Sequence, residues 1–184
     1  MVYIWRVPED YPQSLFGEYQ REGAPDRFLL KRGEHLPAQF GVPVIRFDGV
    51  IADLRKFDCL ANNALVPLVN ARCAAILTEV ASKDVQFIPT RVEAADGVTD
   101  EFSLLNVTSK VKCIDRERSV FSFVPGTQQI MSFRKLEYFE SCLGEHRLAR
   151  DSDYLGHLLL DDAASMRLRG CTGIALRRPS EIAW

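Results

Sequence analysis

The chain has 184 residues, and its 23 basic and 25 acidic side chains leave a formal charge of -2. That balance supplies no strong overall field to gather nucleic acid or anionic lipid. Hydrophobic residues at 47% and charged residues at 26% are ordinary globular usage, which excludes extensive disorder and suits one domain over 1–184.

In chain order, Val2 to Val7 reads as a strand stopped by Pro8. Pro12 to Gly23 reads as loop with a short extended piece around Leu15 to Tyr19. Phe28 to Leu30 is an expected short strand, Gly33 to Gly41 a turn-rich connection, and Val42 to Phe47 another strand closed by Asp48-Gly49. The first fifty residues therefore read as an irregular subregion packed on the main sheet. The principal helix is expected over Leu65 to Val80. There Leu65, Val69, Cys73, Ile76 and Val80 form one apolar stripe, with Asn62 or Asn63 as cap.

Val85 to Val92 reads as a strand, and Pro89 argues against a central place for it. Asp96-Gly97 turns it into a partner, Glu101 to Thr108. Val120 to Val124 and Gln129 to Leu136 flank a Pro125-Gly126 turn. The middle of the chain thus predicts an antiparallel meander. Short strands follow at His146 to Ala149 and Leu155 to Leu160. A short helix capped by Asp161-Asp162 runs to Arg169 and stops at Gly170. Ile174 to Leu176 is the last strand. The expected class is α+β: a mainly antiparallel sheet with one principal helix and a short C-terminal helix.

Chemistry is sparse. His35, His146 and His157 form no HExxH or histidine–cysteine cluster, and no GxSxG, P-loop or GxGxxG motif occurs. No metal or other cofactor is expected. The five cysteines include no CxxC pair. Their odd number and the lack of a signal-like start predict reduced thiols in a cytoplasmic protein. No apolar run approaches the ~20 residues that span a bilayer. The basic pairs Lys31-Arg32 and Arg177-Arg178 are too short to make a nucleic-acid patch. Asp115 and Glu117, two apart, would share a side of an extended chain and form a carboxylate pair for acid/base work. The competing reading is a charged bend in which Asp115 and Ser119 bond to nearby backbone.

The stretch from Asn106 to Ser119, with Asn106, Val107, Lys112, Cys113, Ile114, Asp115 and Ser119 in place, resembles the signature of a bacterial domain family. That family, first catalogued as of unknown function, was later assigned to immunity proteins of polymorphic toxin systems and has a myxobacterial founding example. Val85-Gln86-Phe87-Ile88-Pro89 resembles a second family motif. Gly170, Cys171, Gly173, Ile174 and Leu176 resemble a third. The likeness runs from Ile51 to Leu176, about two thirds of the chain. It departs at Glu145-His146-Arg147-Leu148, and at Asn70, where members often carry serine.

The resemblance implies a cytoplasmic immunity protein that neutralises a cognate toxin by direct protein–protein binding. It carries no binding residues over. The family signature residues Asn106, Cys113, Asp115, Glu117 and Ser119, with Gly170 and Gly173 near the C-terminus, are the candidate site. They are read as a structural bend and a functional surface rather than a catalytic set. Two other readings stand beside it. One is a small hydrolase or ligand-binding protein using Asp115, Glu117 or His146 in a cleft. The other is a structural domain that self-associates through short strand edges.

Overall fold

The computed structural model describes residues 1–37 and 40–182. The strands are β1 (Tyr3–Arg6), β2 (Glu18–Gln20), β3 (Val44–Arg46), β4 (Cys59–Leu60), β5 (Leu68–Asn70), β6 (Val85–Ala94) and β7 (Gly97–Val107). They continue with β8 (Lys110–Val111), β9 (Val120–Phe123), β10 (Ile130–Lys135), β11 (Leu148–Asp151), β12 (Leu158–Leu160) and β13 (Ala175–Arg177). The helices are α1 (Ile51–Leu54), α2 (Ala71–Ala81) and α3 (Asp162–Leu168).

The class is α+β, with one principal helix and a short C-terminal one. A six-stranded sheet runs β2-β3-β6-β7-β5-β4, and a five-stranded sheet runs β13-β1-β12-β11-β8. Among the described strands, β3/β6 and β8/β11 are the parallel pairs. The hairpin β9-β10 stands apart. The expected meander is therefore divided. The β6-β7 hairpin belongs to the large sheet, whereas β8 leaves it to pair with Arg150 and Asp151 of β11. Alternation marks a strand but not its partner, because pairing is long-range.

The first fifty residues enter both sheets. β1 lies between β13 and β12, and β2 and β3 form one edge of the large sheet. Phe28 to Leu30, expected as a strand, is instead the start of a 3-10 turn at Leu29–Lys31. Asp26 decides this: its carboxylate accepts from Phe28 N at 2.8 Å and its carbonyl from Leu29 N at 2.8 Å. Residues 38 and 39 of the connection expected over Gly33 to Gly41 lie outside the described residues.

α2 starts six residues later than its stripe suggested. Leu68 to Asn70 pair with Phe102 to Leu104 of β7, and sheet bonding there outweighs helical periodicity. Asn70, not Asn62 or Asn63, is the cap, accepting from Cys73 N at 2.9 Å. The buried face is Cys73, Leu77 and Ala81, with Ile76 and Val80 on its flank. Pro89 sits in an interior strand after all. β3 covers β6 only from Arg91 to Glu93, so the missing N–H of Pro89 costs no ladder bond on that side.

Three apolar clusters hold these layers. Cys73, Leu77, Leu105, Leu160 and Leu168 join both sheets to α2 and α3. Tyr19, Leu30, Ile45 and Phe102 cover the large sheet with the N-terminal segments. Ile4, Ile114, Phe133 and Leu159 place the hairpin against the small sheet.

One cysteine expectation is corrected. Cys113 and Cys142 form a disulfide across 29 residues, with their Cα atoms 5.1 Å apart. An antiparallel bridge between Ile114 and Tyr138 brings the two segments side by side. Phe139 N adds a 2.8 Å bond to the Cys113 carbonyl. Cys59, Cys73 and Cys171 are buried free thiols.

Candidate functional site

The signature residues do not converge on a reacting centre. Asp115 accepts from Glu117 N at 3.0 Å and Arg118 N at 3.1 Å, so its carboxylate closes the turn of which they are part. Ser119 exchanges hydrogen bonds with the Glu137 backbone, donating at 3.2 Å and accepting at 3.0 Å. Glu117 faces solvent. The carboxylate pair needed for acid/base work is thus not assembled.

Asn106 is fully buried and donates to the Glu34 carbonyl and to Gln86 Oε1, each at 2.9 Å. Gln86 in turn grips Leu36, accepting from its N–H at 2.9 Å and donating to its carbonyl at 2.8 Å. Two of the quoted motifs therefore meet as one polar clamp on the N-terminal segment.

The C-terminal glycines have backbone roles. Gly170 ends α3 at φ +91, where a Cβ would meet open space. Gly173 sits at φ +81, and its Cβ would fall 2.0 Å from the Cys59 carbonyl oxygen.

His146 pairs with Asp84, which lies just beyond the end of α2. Its Nδ1 lies 2.6 Å from Asp84 Oδ1, and Ser109 donates to the same oxygen at 2.7 Å. Arg147 N and Leu148 N donate to Oδ2 at 2.8 and 3.3 Å. Burial alone would raise the Asp84 carboxyl, but these bonds, that of His146 foremost, hold it below its ordinary value. In a nucleophile triad the imidazole stands between hydroxyl and carboxylate. Here the carboxylate stands between the other two, so Ser109 is anchored rather than activated.

Arg150 and Asp151 are also fully buried. Asp151 accepts from four backbone amides, those of Cys113, Ile114, Asp153 and Tyr154, at 2.8–3.2 Å. Burial nonetheless raises its carboxyl. Arg150 donates to the carbonyls of Leu155 at 2.7 Å and Leu30 at 3.1 Å, and burial brings its guanidinium down to about 10. The one sequence signal for this pair was two charges following two apolar residues in a short strand, a pattern without a solvent face.

The candidate site is a cleft of about 620 Å³ between the end of β1, the segment from Cys59 to Pro67, and β10. Trp5, Phe133 and Tyr154 contribute aromatic wall, and His157 stacks on Phe133 at 5.6 Å between ring centres. Its rim carries large apolar side chains left in water: Leu65 at 69% exposure, Met131 at 53%, Val7 at 45% and Phe16 at 40%. Leu65 has φ +57, a left-handed conformation that costs a side-chain-bearing residue roughly 1–2 kcal/mol.

Asn62, 2% exposed, enforces that turn. Its side chain donates to the Val66 carbonyl at 2.7 Å and accepts from Ala64 N at 3.1 Å, while its carbonyl takes Leu65 N at 3.0 Å. Strain retained at an exposed apolar residue marks a functional candidate.

The cleft is poor in reactive groups. Burial pushes the Cys59 thiol up to about 12. Burial, aided by the Arg6 charge, brings His157 down to about 4, so the imidazole is neutral near pH 7 and a weak base. Its Nδ1 is 2.8 Å from the Tyr138 hydroxyl. Among the described residues no group of His, Cys, Asp or Glu is arranged to hold a metal. No helix among them is long and apolar enough to cross a membrane. The chain matches no protein-family model and no curated protein.

Proposed function

We propose that this chain is a binding protein of the immunity type its sequence resembles, neutralising a cognate toxin by receiving a segment of it in the cleft. The observation that carries this reading is Leu65, held in a strained turn with most of its side chain in water at the mouth of an aromatic-walled cleft. Such a rim suits an apolar anchor that buries on association. Asp115 and His146 are spent on structural bonds and Glu117 faces solvent, which supports binding over the hydrolase reading. The cytoplasmic compartment implied by the resemblance is part of this proposal, and it requires Cys113 and Cys142 to be held as thiols there.

The test is co-expression with the products of adjacent reading frames. A toxin should co-purify with the wild-type chain. Leu65→Asp should weaken that association at least tenfold, equivalent to about 1.4 kcal/mol, at unchanged melting temperature. Failure to retain any neighbour product, or retention indifferent to Leu65, defeats the reading. A concentration-dependent dimer that Leu65→Asp dissolves would put a second copy of the chain in the toxin's place.

A further inference from the structure

The cleft's polar inventory is narrow enough to specify its occupant further. Of its polar lining side chains, the Tyr154 hydroxyl and Trp5 indole N–H are neutral, and Asn62 is committed to Ala64 and Val66. Ser132 shares a 2.7 Å bond with Ser122 across the hairpin, and His157 pairs with Tyr138. No Asp or Glu lines the cleft, and Arg6 is its one charged side chain among the described residues. Arg6 is exposed at the end of β1, on the same side of the strand as Ile4, another lining residue. A guanidinium beside low-dielectric walls and without a lining carboxylate presents a locally positive, multiply donating group to whatever enters.

We infer that the toxin segment received by the cleft places an anionic group on Arg6 and an adjacent large apolar side chain between Leu65, Met131 and the aromatic wall. This rests on the docking reading above. The apolar part supplies the burial term. The anion gives orientation, because among the described lining residues Arg6 alone carries charge. An entering cation would meet Arg6 and no carboxylate, so the same arrangement discriminates against basic segments.

Two fluorescent probes that differ by one charge test this on the full-length chain: anilinonaphthalene sulfonate and its uncharged parent phenylnaphthylamine. The sulfonate should bind about fivefold more tightly, an advantage that shrinks as salt is added. Arg6→Gln should abolish that advantage while leaving the neutral probe's affinity and the melting temperature unchanged. Arg6→Lys should retain part of it. Leu65→Asp should weaken both probes.

Equal affinities for the two probes, or an advantage that survives Arg6→Gln, overturn the anion assignment. If Leu65→Asp still weakens both, the docking cleft stands and only the anion assignment falls. If neither probe binds, or Leu65→Asp leaves both unaffected, the cleft reading falls as well.

Discussion

Asp84 shows how one side chain governs a junction. Its two oxygens collect His146, Ser109 and two backbone amides, tying the end of α2 to the start of β11 and the link between β7 and β8. Its carboxyl is lower in the folded chain than in the unfolded one. Its contribution is therefore complete above about pH 4 and is lost as the pH falls through the depressed folded value. Asp58, also lowered despite burial and bonded to Thr172, Asn70 and Arg72, acts in the same direction. Asp151 is raised and acts in the opposite one, gaining relative stability on protonation. Asp84→Asn should cost about 3 kcal/mol at neutral pH and flatten the acid limb of the stability curve. Urea midpoints from pH 7 down to pH 3 measure both. An unchanged acid limb would show that Asp84 is not what titrates there.

At the scale of elements, local chemistry and pairing part company. α3 is capped by Asp161, whose side chain accepts from Ala164 N at 2.8 Å, and it ends before Gly170, much as capping residues and a glycine stop predict. α2 does not begin where its periodicity does, because Leu68 to Asn70 gain more from β7 than from another helical turn. Asn70, one of the departures from the resembled signature, keeps a capping oxygen where members often have serine. The link from α3 to β13 separates two kinds of glycine. Gly170→Ala should cost only the left-handed strain, about 1 kcal/mol. Gly173→Ala adds a 2.0 Å clash with the Cys59 backbone and should cost at least about 3 kcal/mol, since backbone rather than a flexible side chain must move. Denaturant midpoints of the two variants give the comparison, and equal losses would refute the packing argument.

For the whole molecule, the Cys113–Cys142 bond is the covalent tie between the turn-rich segment before β11 and the small sheet. Closing 29 residues restricts the unfolded chain by about 3–4 kcal/mol in the loop-entropy picture. Reduction should lower the melting temperature by about 10 °C for a chain of this size. Calorimetry with and without reductant reads that shift. Thiol trapping in cells bears on the proposed compartment, since a reducing cytosol would hold both residues as thiols.

The order of amino acids alone determined the class, most strand positions, the short C-terminal helix and its stops. Alternation, capping and turn residues act within a few positions of one another. The Asp115 turn was legible for the same reason: a short side chain finds amides two and three residues on. Tertiary structure alone decided which strands share a sheet, which cysteines meet, and that Asp84, Arg150 and Asp151 are buried. It also brought Arg6, Leu65, Met131 and His157 around one cleft. Those outcomes depend on contacts between segments far apart in the chain, whose formation follows from packing rather than from local preference. The recognisable signature runs from Asn106 to Ser119, whereas the cleft draws on residues from Ile4 to Gly173, each ordinary beside its sequence neighbours.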